Sequence, residues 1–330
     1  MKPLLAIAVA SLLVFGCTGG AKTANNSQVQ DDGKFEVALL TPGSISDAGW
    51  NAMAYEGLTA IHDELGATVE NKEATDAQIK DSMRSYAQKD FELVIGHGFE
   101  YNAPAMEVAK DFPNTVFVSS SGSQTAKNVG AFRFYLEQGF YLAGYMAASM
   151  SKTHTIAAIG YNKIPSIKST FRGFEAGAKA ADPNVNVIEP DMDDNADVAA
   201  MKQATLAAIA QGADFVIHQA NDKAQGVFDA CKEKGAYAFG ANLNQNDNPS
   251  GIVIASAYII AKPAYVELAK EVKAGTYTGR VDLRGMADGA IGFEINPKMI
   301  TKIPMSLLAS LVKLQQDIAS GALKVPKDEF

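Results

Sequence analysis

The chain has 330 residues, 47% of them hydrophobic and 20% charged, which excludes a disordered polymer and is long enough for two packed lobes. Twenty-nine Lys and Arg against 37 Asp and Glu give a formal net charge of -8, so the basic footprint of a nucleic-acid backbone binder is missing. The two cysteines, Cys17 and Cys231, do not make a disulfide framework.

The N-terminus carries Lys2, an apolar run from Leu4 to Phe15, then Gly16 and Cys17. That run is short of the roughly 20 apolar residues a spanning helix needs and fits the core of a secretion signal, expected over residues 1–16. Cys17 after Val14, Phe15 and Gly16 resembles the lipobox of bacterial lipoproteins, in which this cysteine takes the lipid and becomes the new N-terminus. A plain signal peptide with a stray cysteine is the other reading. Residues 17–34, rich in Gly, Asn, Gln and Ser, read as a flexible tether to a body that starts near Phe35.

From there short apolar runs alternate with amphipathic segments, the pattern of parallel sheets covered by helices. Strands are expected at 35–40, 67–70, 93–96, 116–119 and 129–134. Helices are expected at 50–65, with Ala54, Leu58, Ile61 and Leu65 on one face, from Thr75, where Gln78 stands at capping-box spacing, and at 102–110. A helix at 136–150 leads into a second α/β series. Its strands fall near 155–160, 185–188, 214–218 and 236–240, and its helices near 165–181, 196–210 and 222–234. Helices at 263–274 and 303–320 are too few for a third domain and must pack on the first two. Cys231 shares a helical face with Ala224, Val227 and Phe228 and reads as a small buried hydrophobe rather than a reactive thiol.

In open parallel sheets a ligand sits beyond the carboxyl ends of the strands, so the loops at 41–51, 96–101, 119–123, 132–135, 161–165, 219–222, 241–246 and 285–289 should line a cleft between the lobes. They are rich in Gly, Asn, Ser and aromatics and poor in Lys and Arg, which suits a flat, weakly polar small molecule. Trp50, the sole tryptophan, sits in a loop entering a helix and is either a ligand platform or a plug beneath the loop. Asp47 either accepts bonds from a ligand or caps that helix. Phe99 after Gly96-His97-Gly98 has the same ambiguity, whereas Phe171 belongs to a core stripe with Ile167, Phe174 and Ala178. Asp193 and Asp194 read as caps of the next helix. No nucleophile elbow, P-loop, H-E-x-x-H or Cys-x-x-Cys pattern is present, and His62, His97, His154 and His218 lack ligand spacing, so neither catalysis, metal nor cofactor is expected.

The runs T-P-G-S-I-S-D-A-G-W-N from Thr41, G-H-G-F from Gly96, E-Q-G-F-Y-L-A-G-Y from Glu137, F-R-G-F-E-A-G-A from Phe171 and G-M-A-D-G-A-I-G-F from Gly285 together resemble the basic membrane protein family of bacterial lipoproteins. These are substrate-binding proteins of ABC transporters and include purine nucleoside receptors. The resemblance implies a two-lobed type I periplasmic-binding-protein fold, with lobes at 35–132 plus 258–284 and 133–257 plus 285–330. Crossovers are implied near 132–135, 256–258 and 284–287. It further implies a lipid-anchored, exported receptor that works with an ABC permease and ATPase and closes on a purine nucleoside or base. The ligand-binding set is Asp47, Trp50, Asn51, Gly98, Phe99, Phe132, Gln219, Asn221, Asn242 and Asp288, with Trp50 as the stacking aromatic. Nucleoside-binding members carry G-V-D where this chain has Gly240-Ala241-Asn242, and an amide lacks the charge-assisted bond a carboxylate makes to ribose. Gln219-Ala220-Asn221-Asp222 replaces a Gly-rich loop, and the family's Lys after the second crossover is missing near Ile259. These departures resemble the purine-base branch, and riboflavin-binding relatives keep another flat heterocycle open. A surface lipoprotein without a transport role is the rival.

Overall fold

The computed structural model describes residues 34–47, 49–161, 164–193 and 195–328. The expected signal segment, tether and Cys17 lie outside them, as does Asp194.

The first series runs β1 (Glu36–Thr41), α1 (Trp50–Leu65), β2 (Thr68–Glu73), α2 (Gln78–Gln88), β3 (Leu93–Gly96), α3 (Asn102–Val108), β4 (Val116–Ser120) and β5 (Val129–Phe134). The second runs α4 (Glu137–Met150), β6 (Thr155–Gly160), α5 (Pro165–Ala181), β7 (Asn186–Ile188), α6 (Val198–Ala210), β8 (Phe215–Gln219), α7 (Ala224–Lys234), β9 (Tyr237–Asn242) and β10 (Val253–Ile259). The chain then returns through α8 (Lys262–Lys273), β11 (Val281–Arg284), β12 (Ile291–Ile295) and α9 (Met305–Ala319).

Two six-stranded sheets result, in the orders β11-β5-β4-β3-β1-β2 and β12-β10-β9-β8-β6-β7. All pairings are parallel except β12 against β10. Strands β3 and β5 are buried at every residue, as strands covered on both faces must be. Helix α1 buries Met53, Ala54, Gly57, Leu58 and Ile61 toward the sheet and α8, and Gly57 lies against the Tyr265 ring. Helices α4 and α5 approach backbone to backbone: a Cβ on Gly144 would stand 1.9 Å from the Phe174 carbonyl oxygen, and one on Gly177 1.9 Å from that of Tyr141. Gly144, Gly173 and Gly177 of the E-Q-G-F-Y-L-A-G-Y and F-R-G-F-E-A-G-A runs are thus what lets these helices touch. Cys231 and Phe171 are buried, as the periodicity predicts.

Two expected caps are corrected. Asp76 takes a left-handed φ of 48°, so Thr75 closes a turn through its carbonyl to the Gln78 N–H, and α2 starts only at Gln78. Asp193 holds a local turn at Asn195, while Asp197 caps α6 by accepting from the Ala200 N–H.

Three connections join the lobes, between β5 and α4, β10 and α8, and β11 and β12. They fall at 135–136, 260–261 and 285–290, the first two slightly later than expected because β5 and β10 run on to Phe134 and Ile259. The Tyr135 N–H donates to the Arg284 carbonyl and the Ile260 N–H to the Ala290 carbonyl, so the three crossings form one ribbon. Across this ribbon Arg133 pairs with the fully buried Glu137 at 2.5 Å. Ser169 from α5 also donates to Glu137 and accepts from the Asp328 N–H. The Tyr135 hydroxyl holds the Val325 carbonyl, so the C-terminal segment lies over the first crossing.

Candidate functional site

The loops at the carboxyl ends of the strands enclose a cavity of about 400 Å³ between the two sheets, within the range of small-molecule sites. The lobes meet at its rim: a Cβ on Gly49 would stand 3.5 Å from the Asn221 Cα.

The first wall is the start of α1. Its N-cap, Gly49, has no side chain to satisfy the free N–H groups, and Asp47 does so instead. The Asp47 carboxylate accepts from the N–H groups of Gly49 at 3.0 Å, Asn51 at 2.9 Å and Ala52 at 2.9 Å. Asp47 lines the cavity and is engaged as the cap of this helix. The half-buried Trp50 lines the cavity, and its indole stacks on His97, centroids 4.0 Å apart and planes at 27°. Asn51 is only 6% exposed, lines the cavity, and its Oδ1 has no hydrogen-bond partner among the described residues. An orphaned buried acceptor costs about 1–3 kcal/mol, which a donor on a ligand would relieve.

Behind the indole lies a buried polar relay. A carbonyl can only accept, so His97 Nε2 donates to the Trp50 carbonyl at 2.8 Å. Burial pushes the His97 pKa down to about 3, leaving Nδ1 unprotonated to accept from the Ser120 hydroxyl at 2.7 Å. Ser120 in turn accepts from the Tyr265 hydroxyl at 3.1 Å.

The opposite wall is an amide cluster. Asn242 donates to Gln219 at 3.3 Å and to Asn221 at 3.2 Å, and Gln219 donates to Thr170 at 3.3 Å. Asn221, Asn242 and, across the cleft, Ser121 hold left-handed φ values of 43°, 68° and 87°. Asparagine tolerates this conformation better than most residues, and such strain gathers where a fold positions side chains for use. At the rim the Lys223 ammonium stands 3.8 Å from the Tyr161 ring centroid. Phe99 is 38% exposed at the cavity, beside Glu100, whose carboxyl is raised above its ordinary range by burial.

Asp47, Trp50, Asn51, Gly98, Phe99, Gln219, Asn221 and Asn242 therefore share one cavity lining. Phe132 and Asp288 do not, and their assignment is corrected. Phe132 is 1% exposed and stacks on Tyr265 (5.4 Å, 8°) and Phe134, because its side chain points into the core of β5. Asp288 accepts from the Gly285 N–H at 2.8 Å and shapes the third crossing. Arg133, Ser121 and Thr170 line the cavity and were not singled out from the sequence. Arg133 carried a readable signal: the one charge inside the apolar run 129–134, with Glu137 four residues on. Among the described residues no group of His, Cys, Asp and Glu is placed to hold a metal, and no helix is long and apolar enough to cross a membrane.

Two α/β lobes joined by three crossings around a lined cleft make the two-lobed fold of the periplasmic solute-binding proteins. Solved structures share this fold: an ABC transporter solute-binding protein from Conexibacter woesei (TM-score 0.71, 24% identity, 89% of this chain and 99% of that one) and one from Aeropyrum pernix (TM-score 0.79, 19% identity, 89% and 94%). Residues 34–329 match the family described as ABC transporter substrate-binding protein PnrA-like, and the chain belongs to it. Relatives include the CD4+ T-cell-stimulating antigen of Listeria monocytogenes (26% identity, 98% of this chain and 97% of that one). A purine-binding protein of Brucella abortus is 26% identical over 88% of this chain and 82% of its own length. Basic membrane protein D of Borreliella burgdorferi is 24% identical over 91% of each.

Proposed function

We propose that this substrate-binding protein captures a purine, as nucleoside or free base, and delivers it to an ABC permease and its ATPase. The observation that carries the reading is Trp50: an indole braced by His97 that lines the cavity beside the orphaned Asn51 Oδ1. A flat heterocycle stacks on the indole, a ring N–H satisfies Asn51, and the amides of Gln219, Asn221 and Asn242 close on the remaining edge from the other lobe. The crossing ribbon is the hinge for that closure. The purine-binding relative from Brucella abortus supports the ligand class. Cys17 would carry the lipid that holds the exported protein at the membrane.

The test is a melting panel of the purified protein with nucleosides, purine bases, riboflavin and simple sugars. A ligand at a hundredfold excess over Kd adds about 2.7 kcal/mol and raises Tm by several degrees. A rise with adenosine, inosine, hypoxanthine or adenine supports the reading. A rise with riboflavin or a sugar alone overturns it.

A further inference from the structure

Trp50 is held at its pitch by groups that do not touch the cavity. His97 is fully buried and lies flat beneath the indole, and its Nε2–H is fixed on the Trp50 carbonyl, so ring and backbone of the platform are tied to one imidazole. The imidazole is itself fixed: Ser120 at the end of β4 donates to Nδ1, and Tyr265 of α8 donates to Ser120. Phe132 of β5 stacks on the Tyr265 ring, so the chain of contacts reaches the strand that enters the first crossing.

We propose that His97 is a positioning residue for ligand capture, fixing the tilt of the Trp50 indole through the stack and the bond to the Trp50 carbonyl, with Ser120 and Tyr265 locking the imidazole. This rests on Trp50 being the ligand's platform. A histidine present only to fill the core would tolerate any replacement that keeps the fold. A positioning histidine requires a flat ring at this place.

The sequence holds a single tryptophan, so indole fluorescence reports Trp50 alone. The full chain is compared with His97→Gln, which keeps polar ends but loses the ring, with His97→Phe, which keeps the ring, and with Ser120→Ala, which unlocks it. Each is read without ligand by indole anisotropy and acrylamide quenching, then titrated with hypoxanthine and adenosine. His97→Gln is expected to lower anisotropy, open the indole to acrylamide and weaken purine binding about tenfold, the upper end of an aromatic pair's worth. His97→Phe restores the stack but not the bond to the Trp50 carbonyl, so it should recover part of the lost anisotropy and affinity, and Ser120→Ala, which keeps ring and bond but loses the lock, should lie between His97→Phe and the parent. Parent-like anisotropy and affinity in His97→Gln, or His97→Phe no better than His97→Gln, overturns the proposal. If His97→Gln does not fold, the comparison rests on His97→Phe and Ser120→Ala, and an unchanged indole in Ser120→Ala overturns it. If no purine binds the parent, the purine reading fails while the ligand-free optical comparison still decides what His97 does.

Discussion

Glu137→Gln separates the buried ion pair at the first crossing from the hydrogen bonds around it. Gln keeps the shape and an acceptor for Ser169 but removes the negative charge facing Arg133, whose side chain is 9% exposed against 0% for Glu137. Arg133 keeps its bond to the Phe134 carbonyl at 2.9 Å. Removing the carboxylate's charge from a buried ion pair costs about 3–5 kcal/mol. For a folded body of this size the loss corresponds to a Tm drop of about 5–8 °C. Urea unfolding should show the midpoint falling at unchanged slope. Replacing both partners, Arg133→Met with Glu137→Leu, should recover most of the stability, since an apolar pair has no charge to desolvate. A Glu137→Gln protein within 1 kcal/mol of the parent would refute the reasoning.

The α4–α5 contact predicts that Gly177→Ala, whose methyl would stand 1.9 Å from the Tyr141 carbonyl oxygen, costs at least about 1–3 kcal/mol. A change under 0.5 kcal/mol in urea unfolding would contradict that packing. His97 and His218 are buried and uncharged, their pKa values pushed down to about 3 and about 4 from 6.5, chiefly by burial. The unfolded chain therefore binds more protons below pH 6.5, so this stability is complete above pH 6.5 and is lost as pH falls toward 4. Each histidine should cost about 2 kcal/mol at pH 5, and urea midpoints at pH 7.5 and 5 check it. Cys17→Ser should abolish incorporation of a labelled fatty acid and release the protein from the membrane fraction; labelling that persists would refute lipidation at Cys17.

Much of the architecture was legible because helices and strands announce themselves by different periods. The segments 50–65, 93–96, 129–134, 155–160 and 165–181 were read at their observed bounds. Strands β10, β11 and β12 were not read. Ala and Ser dilute the apolar signal of β10, β11 alternates Val and Leu with Asp and Arg on a sheet edge, and β12 carries a glycine. Strands β11 and β12 also pair with strands far back in the chain, so nothing nearby fixes their register. The cleft loops were legible from the rule that places them beyond strand ends. What lies one layer behind was not: that His97 lies under Trp50, or that Phe132 backs Tyr265 instead of facing the cavity, depends on pairing across β3, β4 and β5.

The central claim, a purine stacked on Trp50 inside the cleft, is tested most directly by titrating indole emission of the full chain with hypoxanthine and adenosine, with ribose as control. The account predicts saturable quenching at one purine per chain and no response to ribose. Purine binding seen by calorimetry without any change in indole emission, or no binding of either purine, would contradict it.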